Sequence, residues 1–172
     1  IYPEVTSPAF VEDGAKATAW VVQHIDQYGG DSQNIFMMGH SAGAQIAAML
    51  TLDERFLLAH HIKNTSLRGM IGLAGPYDFL PFDDPVNELI FAPPEHFDQS
   101  QAINFVDGDE APLLLLHWKN DRTVRIANAK NLAREVRQRG GQVQTIFYDD
   151  YSHTDVLVKM SRLLRGKSPI VN

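Results

Sequence analysis

Gly39-His40-Ser41-Ala42-Gly43 has the spacing G-x-S-x-G, the pattern of a serine held on a tight strand-to-helix turn with its hydroxyl aimed at a carbonyl carbon. A serine hydroxyl is a poor nucleophile until a base takes its proton, so this chemistry needs an imidazole and a carboxylate as well. On scaffolds with this turn the order along the chain is Ser, then Asp or Glu, then His, each just past a strand. Asp121, in His117-Trp118-Lys119-Asn120-Asp121, and His153, in Tyr151-Ser152-His153, fall in that order. Imidazole suits the base role because its ordinary pKa of about 6.5 leaves it neutral yet basic near pH 7. An ionised aspartate behind it would fix the tautomer and stabilise the imidazolium. The N–H of Ala42, the residue after the serine, is the expected first donor to an oxyanion. Asp78 is the rival acid, whereas Asp149 and Asp150 lie too near His153 in sequence to approach its ring from behind. His40, Tyr77, Phe79 and Phe82 are the candidate lining of a substrate pocket.

The elements around these residues must place them at one end of a sheet. Val11, Ala15, Thr18, Val22 and Ile25 recur at helical spacing, and Gly29-Gly30 ends that helix. Ile35 to Met38 reads as a strand leading into the serine turn, followed by an alanine-rich helix from about Ala42 to Thr51. Met70 to Ala74 and Pro112 to Trp118 read as further strands, the latter with the buried run Leu113 to Leu116. A helix over Ile126 to Arg139 carries Ala129, Leu132, Ala133 and Val136 on one face. Val143 to Tyr148 is the last strand, and a final helix carries Val156, Leu157, Met160, Leu163 and Leu164. Helices alternating with short apolar strands predict an α/β fold with a mainly parallel sheet. The stretch 77–111, rich in proline and aromatics, is too long for a simple connection and reads as a cap or lid over the site.

Composition narrows the function classes. A net charge of -6 without a basic stripe argues against nucleic acid as a partner. No apolar run approaches the roughly 18–20 residues that span a bilayer, and a cytoplasmic location is the expectation. The absence of cysteine excludes disulfides, thiolate metal sites and a cysteine nucleophile. His60-His61 are adjacent and diverge on a helix, while His24, His96 and His117 have no partner at ligand spacing, so no metal and no cofactor are expected. The size fits one domain over residues 1–172, and a homodimer is left open.

The run Asp13 to Leu50, with Trp20, Tyr28-Gly29-Gly30-Asp31 and Gly39 to Gly43, resembles bacterial carboxylesterases of the α/β-hydrolase superfamily. It is most similar to the branch related to hormone-sensitive lipase, feruloyl esterase and kynurenine formamidase. Gly75-Pro76-Tyr77-Asp78-Phe79-Leu80 and the Asp121 and His153 segments continue the likeness over nearly the whole chain. The resemblance implies a three-layer αβα sandwich and a catalytic triad of Ser41, Asp121 and His153 that cleaves small-molecule carboxylic esters through an acyl-enzyme. An amidase or formamidase with the same triad, and a non-catalytic hydrolase-fold binding module, are the alternatives. This chain has Trp118 where such proteins usually have glycine after the histidine, and nothing in it matches their upstream His-Gly-Gly loop. The chain opens Ile1-Tyr2-Pro3, and about four of the eight strands implied are recognisable. The expectation is therefore the C-terminal part of a longer polypeptide, with the serine-bearing strand at a sheet edge.

Overall fold

The computed structural model describes residues 2–149 and 152–160. Four strands, β1 (Phe36–His40), β2 (Gly69–Leu73), β3 (Leu113–Trp118) and β4 (Val143–Tyr148), form one sheet in the order β1-β2-β3-β4. Every pair is parallel. The helices are α1 (Ala9–His24), α2 (Ala42–Leu52), α3 (Glu54–Leu58), α4 (Pro85–Phe91), α5 (Ala127–Gln138) and α6 (Asp155–Met160). The remaining positions expected on the final helix, Leu163 and Leu164, lie outside the described residues.

The strand order dictates where the core sits. Parallel neighbours are joined by right-handed crossovers, so steps that all run the same way across the sheet put their connections on one face. Met70, Leu113, Leu115 and Val143 point to that face and pack with Val11 and Ala15 of α1, Ala47 and Leu50 of α2, and Leu132 and Val136 of α5. The alternate residues Leu73, Leu116 and Trp118 point the other way and form a smaller cluster with Tyr148 and Met160 of α6. Helices thus lie on both faces, most of them on one. Trp118, the departure from the expected glycine, is fully buried in the smaller cluster, on the side of β3 opposite His117. At the edge of the sheet, Phe36 and Met38 of β1 are 60% and 48% exposed.

Local sequence explains the amphipathic helix α5. Ala129, Leu132, Ala133 and Val136 follow the 3.6-residue period, and all four are buried. Gly140 closes this helix at φ 87°, a left-handed conformation that glycine adopts without a Cβ penalty. The 77–111 stretch is more ordered than its composition implies: α4 and two short 3-10 helices, Pro94–Ser100 and Ala102–Phe105, occupy it. Ala102, Val106 and Ala111 belong to the main core. Buried Leu132 has no exposed surface, so Leu132→Ala is expected to cost about 2–5 kcal/mol, read as a lower urea midpoint with an unchanged m-value.

Candidate active site

Ser41, Asp121 and His153 follow β1, β3 and β4 at the same end of the sheet. Ser41 sits between β1 and α2 with φ 55° and ψ -123°, a conformation sparsely populated by L-residues that costs on the order of 1–3 kcal/mol. The sheet holds one side of this turn, since the Ser41 N–H donates to the Leu73 carbonyl at 2.9 Å. On the other side, the Ser41 carbonyl accepts from the N–H groups of Ala44 and Gln45 and starts α2. The N–H groups of Ala42 and Gly43 fall in the first turn, where no earlier carbonyl of the helix can reach them, and they carry the positive end of its dipole. The two motif glycines differ. A Cβ at Gly39 would overlap the Gly43 carbonyl, whereas a Cβ at Gly43 would meet nothing within 4 Å. The tight turn requires only the first.

A continuous hydrogen-bonded chain runs from the hydroxyl to the carboxylate. His153 Nε2 lies 2.9 Å from Ser41 Oγ, and His153 Nδ1 lies 2.7 Å from Asp121 Oδ2. An ionised carboxylate only accepts, so Nδ1 carries the proton and Nε2 presents its lone pair to the serine hydroxyl. The Asp121 side chain is fully buried. Its Oδ1 accepts from the N–H groups of Thr123 at 2.8 Å and Val124 at 2.9 Å, which compensate the charge and aim Oδ2 at the imidazole. The rival acid, Asp78, is engaged elsewhere: its Oδ2 accepts from Asn131 Nδ2 at 2.7 Å. Asp149 pairs with Lys119 at 2.7 Å.

Two further histidines, given no such role in the sequence reading, adjoin this chain. His117 is buried on β3, and its Nε2–H donates to the Val124 carbonyl at 2.9 Å, with Asp121 Oδ2 3.6 Å away. It closes the loop that presents Asp121. His40, expected at the pocket wall, donates from Nε2 to the His153 carbonyl at 2.7 Å. Burial holds both imidazoles below their ordinary range, opposed by these hydrogen bonds. The spacing of His117 four residues before Asp121 is the available signal for the first; the sequence marks His40 only as a pocket candidate beside Ser41, with no signal for its bond to the His153 carbonyl. Of the other pocket candidates, Tyr77 is a correction. Its ring is fully buried in the main core and packs against Gly72 and Gly75, where the missing side chains open room for it. Burial pushes its phenol well above the usual range. Phe79 and Phe82 are half-buried in an aromatic cluster with Phe91 and Phe97, with centroids 4.8–5.6 Å apart. No group of three or more potential metal ligands occurs among the described residues, and no helix among them is long and apolar enough to cross a membrane.

The BD-FAE family model matches residues 2–136. The chain belongs to the BD-FAE family. It is 26% identical over 152 residues to the probable carboxylic ester hydrolase LipM of Mycobacterium tuberculosis (strain ATCC 25618 / H37Rv), covering 79% of this chain and 35% of that protein. It is 25% identical over 179 residues to the isoprenylcysteine alpha-carbonyl methylesterase ICME of Arabidopsis thaliana, covering 92% and 42%. The chain thus spans well under half the length of these curated relatives. Among solved structures, an acetyl ester-xyloside bifunctional hydrolase from Caldicellulosiruptor lactoaceticus superposes with a TM-score of 0.79 at 15% identity, over 95% of this chain and 63% of that one. Thermogutta terrifontis esterase 2 phosphonylated by sarin gives 0.72 at 19% identity, over 87% and 58%. The fold is that of the α/β-hydrolases.

The buried histidines make stability depend on pH. An imidazole held below its ordinary pKa refuses the proton that the unfolded chain takes up near pH 6.5. Stability is therefore full above that value and declines as the pH falls through and below it. The thermal midpoint is expected to drop between pH 7 and pH 5, and His117→Gln, which removes one such imidazole, is expected to flatten that slope in a calorimetric pH series.

Proposed function

We propose that this chain carries the nucleophile, base and acid of a serine carboxylesterase, with Ser41, His153 and Asp121 in those roles. The hydrogen-bonded chain from Ser41 Oγ through His153 to Asp121 carries the reading. Neutral His153 takes the Ser41 proton as Oγ attacks the ester carbonyl carbon, and the Asp121 carboxylate stabilises the imidazolium. The carbonyl oxygen becomes an oxyanion facing the N–H of Ala42, the first oxyanion donor. His153 then gives its proton to the departing alcohol as the C–O bond breaks, leaving the acyl group on Ser41 Oγ. Water, deprotonated by His153, attacks the acyl-enzyme and releases the acid. The half-buried faces of Phe79 and Phe82 are the candidates for an apolar wall beneath a cap formed by 77–111. The substrate class is small carboxylic esters with acyl or aryl groups of moderate apolarity.

Two independent lines support the reading. Esterases and ester hydrolases recur among the relatives, and the structural neighbour from Thermogutta terrifontis is phosphonylated by sarin, an electrophile of the same class as fluorophosphonate probes. The protein is expected to label with a fluorophosphonate at one site. Ser41→Ala is expected to abolish labelling and to lower kcat on p-nitrophenyl esters by roughly 10³–10⁶-fold. Asp121→Asn is expected to lower kcat on the order of 10⁴-fold and Asp78→Asn to have little effect. A large loss at Asp78 with a mild one at Asp121 would overturn the assignment of the acid.

A further inference from the structure

The reading above requires an imidazole carried by the loop after β4 to meet a hydroxyl on the turn after β1. These strands are three positions apart in the sheet, roughly 14 Å at the usual spacing of parallel neighbours. The hydroxyl end is rigid: His40 is the last residue of β1, paired in register with Leu73, and Ser41 is anchored to the same residue through its N–H. The base end is less constrained. Its side chain meets Ser41 and Asp121, and its main-chain carbonyl accepts from His40 Nε2–H at 2.7 Å. That bond joins the residue bearing the base directly to the residue preceding the hydroxyl, across 113 positions of sequence. The two rings lie 4.7 Å apart at 45°.

We propose that His40 is a positioning residue that locks the backbone of His153 to the end of β1 and so keeps Nε2 in register with Ser41 Oγ. The inference rests on the reading of Ser41 and His153 given above. Its physical basis is that a proton-transfer pair loses rate steeply with misplacement, about 10²-fold for 1 Å, while ground-state binding of the ester does not use the pair. A donor at this place must also be neutral. The imidazolium that forms on His153 during reaction sits beside the His40 ring, and a second cation there would oppose it. Burial favours the neutral form of His40. The Asp121 carboxylate and the His153 ring are the ionisable groups acting on it.

The experiment compares three substitutions in the purified protein with p-nitrophenyl butyrate. His40→Phe keeps a ring without a donor, His40→Gln places an amide N–H where the imidazole Nε2–H stands, and His40→Asn carries the same amide one carbon short. The expected result is a kcat lowered roughly 10–100-fold in His40→Phe and His40→Asn with KM within about twofold, and recovery of most of kcat in His40→Gln. The Gln–Asn contrast keeps the comparison open if His40→Phe does not fold. A raised KM at unchanged kcat would make His40 a pocket residue and overturn the inference, as would equal kcat in His40→Gln and His40→Asn. Fluorophosphonate labelling separates the two levels: an unlabelled wild type overturns the triad itself, whereas a labelled wild type matched in rate by His40→Asn overturns only the role of His40.

Discussion

The site depends on a peptide geometry that most residues avoid. Ser41 holds φ 55° because both its neighbours are fixed: β1 is hydrogen-bonded to β2 on one side, and α2 begins at the Ser41 carbonyl on the other. The turn closes so tightly that Gly39 has no room for a side chain against the Gly43 backbone. A strain on the order of 1–3 kcal/mol persists because α2 is nearly all core: Ala44, Ala47, Ala48, Met49, Leu50 and Leu52 are buried. Relaxing the turn would withdraw that helix from the sheet. Gly14 of α1, where a Cβ would crowd Ile46 and Leu50, lets α1 sit close against α2, so the rigidity of the turn is borrowed from ordinary hydrophobic packing.

The three histidines around the turn differ through what their nitrogens face. His153 faces a carboxylate through Nδ1 and a hydroxyl through Nε2. His40 and His117 each face a main-chain carbonyl, which demands an N–H and holds a neutral donor in place. Burial reinforces that difference by disfavouring the charged form of both. The same side chain thus bridges a carboxylate and a hydroxyl in one place and braces a main-chain carbonyl in two others, all within a few ångströms.

Much of this was legible in the sequence, for identifiable reasons. The parallel sheet, the amphipathic α5 and the placing of Ser41, Asp121 and His153 just past β1, β3 and β4 all follow from periodicity and order, which are local properties. Tyr77 was misplaced because an aromatic beside a glycine and a proline looks like a loop residue; only the register of β2 reveals that Gly72 and Gly75 leave a slot for its ring. The 77–111 stretch looked irregular because its helices are short and proline-bounded. The spacing G-x-S-x-G does not tell which glycine faces backbone, because that depends on how α2 leaves the turn. The contact of His40 with the His153 carbonyl spans 113 residues, and no local pattern encodes a bond to a main-chain atom that far away.

The one-way strand order explains why the two faces of the sheet are so unlike. Each step from β1 to β4 moves in the same direction, so right-handed crossovers stack their helices on a single face. The described helix after β4, α6, is not a crossover between these four strands, and it covers part of the opposite face through Met160. Its coverage reaches Leu116, Trp118 and Tyr148 near β3 and β4 and stops short of Phe36 and Met38 on β1. The loop that begins α6 also carries His153. The short segment from His153 to Met160 therefore both seats α6 on the small cluster that buries Trp118 and carries the imidazole whose Nδ1 meets Asp121, three residues beyond Trp118.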